Sequence, residues 1–193
     1  MGNKRYTNGF ALTLHPDLLD VPRTKRKSQS YFVNSMSDLL HKDVPLDFIQ
    51  SVFKTMNECP KHTFQILTKR SDILAKYAPL LKWTDNIWQG VSVESQQYVY
   101  RIDDLRTVPA KVRFIYFEPL IGPITNANLQ GIHWAVVGGE SGPGWRPLDI
   151  QWVRDIRDAC VAQNVKFCFK QLAALHPEKL GRDLDGVVWD ERP

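Results

Sequence analysis

Short apolar, β-branched or aromatic runs recur along this chain, and between them the apolar residues switch to helical spacing. The runs are FALTL (Phe10 to Leu14), YFVNS (Tyr31 to Ser35), TFQILT (Thr63 to Thr68), IWQGVSV (Ile87 to Val93), VRFIYF (Val112 to Phe117), HWAVVG (His133 to Gly138) and VKFCFK (Val165 to Lys170). They are nearly continuous in hydrophobicity rather than strictly alternating. Strands buried on both faces have this character, and such strands belong to parallel sheets. Between them, four segments carry apolar residues at i, i+3, i+4 spacing. One has Leu46, Ile49, Val52, Phe53 and Met56; the next Ile73, Leu74, Tyr77, Leu80 and Leu81. Tyr98, Val99, Ile102 and Leu105 form the third, and Trp152, Val153, Ile156 and Cys160 the fourth. Each follows a Ser or Asp suited to an N-cap (Asp43, Ser71, Ser95, Asp149).

Repeated strand–loop–helix units give either a closed or partial barrel or an open doubly wound sheet. No dinucleotide fingerprint follows any run, which favours a TIM-like parallel β/α barrel. An eight-stranded barrel usually needs roughly 200 residues or more. At 193 residues this chain is expected to form an incomplete or open one. A single domain over 1–193 follows, with the stretch 181–193 as a terminal hairpin turning at Asp185-Gly186. A missing unit would leave an open sheet edge and a route to self-association.

No apolar run approaches a membrane span, and the first ten residues lack the apolar stretch of a signal peptide. The three cysteines, Cys59, Cys160 and Cys168, are odd in number and widely spaced. They read as reduced thiols, so a cytoplasmic location is expected. The net charge of +4 is too mild to imply nucleic-acid binding by itself.

In parallel barrels the reacting groups sit just past the C-terminal strand ends. Here those positions are repeatedly polar: Asn34, Ser35, Ser37 and Asp38; Lys69 and Arg70; Ser92 and Glu94; Glu118; Gly138, Gly139, Glu140 and Ser141; Lys170 and Gln171. Glu94, Glu118, Glu140, Lys69 and Lys170 are the candidate catalytic residues. Carboxylates gathered near lysines can serve acid–base work, or form a structural ring of ion pairs. Asn34, Ser35, Asp38, Ser92, Gly138, Gly139 and Ser141 are the candidate ligand-binding residues. The glycine-rich GGESGPG segment could turn backbone N–H groups toward an anion, or be a tight loop without a ligand. The basic cluster Arg23 to Lys27 reads as a solvated loop or a phosphate contact. No His or Cys spacing suggests a metal site.

The segments NSMSDLLH, FQILTKR, WQGVSVE, RFIYFEPLIGPI, WAVVGGESGPGWRP and LDGVVWDERP resemble a phage-associated family of unknown function, the phage Gp thirty-seven/Gp sixty-eight family. The resemblance runs in order over nearly the whole chain. It implies a barrel similar to radical S-adenosylmethionine enzymes, with an iron–sulphur cluster held by three closely spaced cysteines upstream of the region matched here. This sequence has no such triplet, so it reads as a truncated or degenerate member. Tyr116, Trp145 and Leu172 also depart from the family pattern. Three functional expectations follow: a radical-S-adenosylmethionine-like barrel lacking its cluster segment; a cluster-independent barrel enzyme using lysine–glutamate acid–base or Schiff-base chemistry; and a non-catalytic module that binds nucleic acid or a protein partner through Arg23 to Lys27.

Overall fold

The computed structural model describes residues 11–34 and 37–193. Six parallel strands form one sheet: β1 (Ser30–Val33), β2 (Thr63–Thr68), β3 (Ile87–Ser92), β4 (Arg113–Phe117), β5 (Trp134–Gly138) and β6 (Lys166–Gln171). Their order in space is their order in sequence. A doubly wound sheet must reverse its strand order, so that alternative is excluded. The sheet curls into a half-barrel instead. A two-stranded antiparallel hairpin, β7 (Asp183–Leu184) and β8 (Val187–Val188), turns at Asp185 and Gly186, both at positive φ. The Asp-Gly pair supplies the left-handed conformation such a turn demands.

Five helices accompany the strands: α1 (Val21–Thr24), α2 (Leu46–Glu58), α3 (Ser71–Tyr77), α4 (Tyr100–Arg106) and α5 (Ile150–Ala162). The expected caps are realised once among them. Asp149 accepts a hydrogen bond from the Gln151 N–H at the start of α5. Ser71 lies inside α3, and its hydroxyl donates instead to Asp104, 2.5 Å away.

Strand parity divides the core. Ile49, Phe53 and Met56 of α2, Leu74 of α3, Ile102 and Leu105 of α4, and Val153 and Ile156 of α5 form one buried cluster. It includes Phe64, Ile66, Ile87, Val91, Ile115, Phe117, Val137, Phe167 and Phe169 from the strands. This is the convex, helix-covered face. The alternate residues, Phe114, Trp134, Val136 and Cys168, form a second cluster with Leu67, Trp88 and Tyr116 against it. This is the concave face. Its aromatic rings reach across the curl: Phe32 of β1 meets Tyr116 of β4 with ring centroids 5.7 Å apart, although β2 and β3 lie between them in the sheet.

Two expectations change. Residues 11–14 of the first apolar run form no strand, and Phe10 lies outside the described residues. A run of five ending at His15-Pro16 is short, and proline supplies no N–H to a ladder. Among the described residues the sheet thus has six strands rather than seven, in the open form expected. The free side of β6 is occupied by the chain's own tail. The Phe169 N–H donates to the Trp189 carbonyl, the Glu191 N–H donates to the Phe167 carbonyl, and Cys168 bridges Asp190 in antiparallel register. That covers one sheet edge. Among the described residues no helix is long and apolar enough to cross a membrane.

Candidate functional site

The register stacks the concave side chains in layers. Gly90 of β3, Phe114 of β4 and Trp134 of β5 are neighbours near the strand starts. Ser92, Tyr116, Val136 and Cys168 follow two residues later. The next step on the same face brings Glu94, Glu118, Gly138 and Lys170, with Lys69 beyond β2. Of the residues expected at the strand ends, Lys69, Glu94, Glu118 and Lys170 thus line the concave rim, above an aromatic floor. Packing in the floor is tight: a Cβ on Gly90 would lie 2.2 Å from the Phe114 ring. A glycine there lets the ring fold into the curl.

Each rim carboxylate holds a cation. Glu94 is buried, at 7% side-chain exposure, between Lys69 Nζ at 2.5 Å and Arg101 at 2.9 Å. Lys69 itself is 54% exposed. Arg101 comes from α4, donates also to the Ser92 carbonyl at 2.7 Å, and lies 4.2 Å over the Tyr98 ring. Its Nε is buried without a hydrogen-bond partner. Glu118 repeats the pattern: its carboxylate is 15% exposed and takes Lys170 Nζ at 2.6 Å, while Lys170 is 48% exposed. In each pair a carboxylate less exposed than its partner anchors a lysine that still reaches solvent. Gly138 makes room for this pair, since a Cβ there would stand 3.3 Å from the Glu118 carboxyl.

Glu140 is clasped by Arg146 through three contacts, from the backbone N–H at 2.9 Å and from the guanidinium at 2.9 and 2.7 Å. Hydrogen bonds from Arg146 side chain and backbone hold the Glu140 carboxyl down at about 2, with the nearby Lys69 charge adding to the effect. The field of Glu94 likewise favours charged Arg146. The Glu94 and Glu140 pairs therefore share one electrostatic neighbourhood. Counting these groups, four cations (Lys69, Arg101, Arg146 and Lys170) face three carboxylates.

The remaining candidates play positional parts. Asp38 accepts from the Thr68 hydroxyl, the Leu40 and Lys69 N–H groups and Arg70, so it ties the loop after β1 to the end of β2. Asn34 donates to the Ser37 hydroxyl at 2.9 Å. Ser92 is buried in the layer below the rim. Gly139 allows a backbone crossing: a Cβ there would lie 2.3 Å from the Ala173 nitrogen. Ser141 bridges Ala174 in parallel register. Ser35 lies outside the described residues.

The glycine-rich loop uses its N–H groups internally. Gly139 donates to Gln171 O, Gly142 to Ala174 O, and Arg146 to Glu140. The loop also carries its own negative group, Glu140, paired with Arg146. The basic segment is likewise partly engaged, because Arg23 pairs with Asp20 and Glu58.

Three residues of the site had not been foreseen. Arg101 stands three residues after Tyr98 and four before Leu105, on the apolar face of its helix, where a charge demands a partner. Arg146 carried no such signal. Tyr116 was noted only as a departure from a family pattern. Burial and the neighbouring Glu118 charge push its phenol up to about 12, so it is a neutral donor at physiological pH. Its hydroxyl has no hydrogen-bond partner among the described residues. The indole N–H of Trp134, beside it in the concave cluster, is buried and also unpartnered.

The cysteines do not converge. Cys59 closes α2, Cys160 lies on α5 against the convex core, and Cys168 sits in the concave cluster. Burial pushes the Cys160 thiol up to about 12 and raises Cys168 as well. Protonated thiols on opposite faces of a sheet do not fit an iron–sulphur cluster, which needs converging thiolates. Among the described residues no group of three His, Cys, Asp or Glu side chains could hold a metal ion. A cleft of about 370 Å³ lies away from the rim, lined by residues that include Ile124, Leu129, Asp155 and Gln163.

Fold and site together define an open, singly wound α/β half-barrel with an ion-paired rim on its concave side. The chain belongs to the DUF5131 family, described as proteins of unknown function, whose model matches residues 1–193. No curated protein and no solved structure matches it.

Proposed function

We propose that the concave rim binds a small anionic ligand and carries acid–base chemistry upon it. The observation behind this reading is the pairing of deeply set carboxylates with exposed lysines, Glu94 with Lys69 and Glu118 with Lys170. An ammonium held in place from below offers its remaining N–H donors to an incoming anion at little further ordering cost. On this reading Lys69 and Lys170 orient a carboxylate or phosphate, and Glu118 exchanges a proton with the bound molecule. An ion-paired ammonium suits this role better than Schiff-base formation, which needs the neutral amine.

The finer identity, a TIM-like barrel of the phage-associated Gp thirty-seven/Gp sixty-eight type, rests on the motif resemblance and on the parallel, singly wound sheet. The S-adenosylmethionine chemistry which that resemblance implies would need cluster ligands that these three cysteines do not supply, and no step is routed through it.

The test is calorimetric titration of the chain with succinate and with inorganic phosphate. Binding is expected, and Lys69→Met with Lys170→Met should weaken it at least tenfold. Neutralising Lys25, Arg26 and Lys27 together to serine should leave it unchanged. The opposite pattern, with binding lost only in the serine variant, would overturn the rim as the site and favour a phosphate-backbone contact by the basic segment.

A further inference from the structure

We infer that the ligand of this rim is a planar aromatic acid, its ring lying against Phe32 and Tyr116 and its anionic group meeting Lys170. The inference rests on the anion-binding reading above and adds the class of molecule.

Phe32 is the first observation. It occupies the concave side of β1, yet it is 38% exposed. Its ring leans on Tyr116 at 5.7 Å with a 50° tilt, leaving apolar surface uncovered on the edge strand of the curl. The other rings of the floor are satisfied by one another. Phe114 meets Tyr116 at 5.6 Å, Phe114 meets Trp134 at 5.9 Å, and Tyr116 meets Trp134 at 6.2 Å. Phe32 and Tyr116 are thus the exposed end of an aromatic stack that continues inward, and a further ring extends it in the offset or edge-to-face manner that such pairs favour.

The second observation is distance. Glu118 stands two residues beyond Tyr116 on the same face of β4, about 6.6 Å along the strand. Glu118 draws the Lys170 ammonium to that level. A ring on the floor with a carboxylate directly attached therefore spans from aromatic surface to cation in a one- or two-ring molecule. A long aliphatic acid would reach the cation without using the floor.

The third observation is polar chemistry. The Tyr116 hydroxyl has no partner among the described residues, so one donor waits between floor and rim. Cations exceed carboxylates by one in the ion-pair set, which suits a monoanion.

The experiment compares three probes on the full chain by calorimetry: indole-3-carboxylate, cyclohexanecarboxylate and succinate. The expected order places indole-3-carboxylate at least tenfold tighter than cyclohexanecarboxylate. Phe32→Leu keeps an apolar side chain at an exposed position but removes the ring. It should weaken indole-3-carboxylate about threefold to tenfold and leave succinate unchanged. If the three acids bind alike and Phe32→Leu alters none of them, the aromatic inference fails while the anionic rim stands. If none of the three binds, both readings fall.

Discussion

The two faces of this sheet are built from alternate residues of the same six strands, and they are governed by different chemistry. The convex face is chiefly aliphatic and aromatic, sealed by four helices, and apolar packing dominates its contacts. The concave face stacks rings at its base and ion pairs at its rim, with Phe32, Lys69 and Lys170 reaching solvent. Burial drives the first face and is lost in proportion to the volume removed. The second combines costly desolvated charge with accessible head groups. Such a combination contributes little net stability.

This contrast can be broken by substitution. Phe169→Ala on the convex face should cost most, about 3–5 kcal/mol, because a fully buried ring leaves a cavity. Chemical denaturation would measure it, and a loss under about 1 kcal/mol would mean that the convex core is not close-packed. Arg101→Met should come next, at about 3 kcal/mol. It leaves buried Glu94 with the exposed Lys69 as its one remaining contact ion pair among the described residues. A neutral result would show that Lys69 suffices. Gly90→Ala should cost roughly 2 kcal/mol by forcing the Phe114 ring out of its place. The aromatic contribution to near-ultraviolet circular dichroism should change with it.

Lys170→Met should move stability by less than about 1 kcal/mol, since the ammonium it removes from Glu118 is half-exposed. It should nevertheless weaken anion binding severalfold. That separation of stability from binding is the sharpest form of the comparison, and equal effects on both would erase it. The smallest effect concerns pH. Pairing with Arg146 lowers Glu140 from its ordinary 4.5 to about 2. Its contribution is therefore complete above the ordinary value and fades as the pH falls toward 2. The carboxyl carbon resonance of Glu140 should titrate in that lower range, and Arg146→Ala should return it to the usual one.

Much of this arrangement could be read before any coordinates. Runs two to seven match β1 to β6 within one or two residues, because strands buried on both sides are unusually apolar. Lys69, Glu94, Glu118 and Lys170 were legible as a set for a related reason: the first three directly follow such a run, Lys170 closes one, and each has the parity of the concave face. What stayed hidden depended on side chains folding back from elsewhere. Arg101 reaches Glu94 from α4, and nothing in the strand pattern points to it. That Glu140 of the glycine-rich loop pairs with Arg146 was equally hidden, because no spacing in the sequence links the two. The first run failed as a strand because five apolar residues without a crossover partner carry too little information to choose a conformation.

One irregularity joins the two faces. Between β5 and β6 the pairing runs from Val137 with Phe169 to Gly138 with Gln171, so Lys170 is the extra residue of a bulge. The rim ammonium is thus an insertion into the ladder rather than a replacement within it. Loss of that single codon would do two things at once: Gln171 would fall into regular register opposite Gly138, and Glu118 would lose its counter-ion. The gene can therefore mend the sheet and remove the Lys170–Glu118 pair in one step, and no exchange of one amino acid for another achieves both.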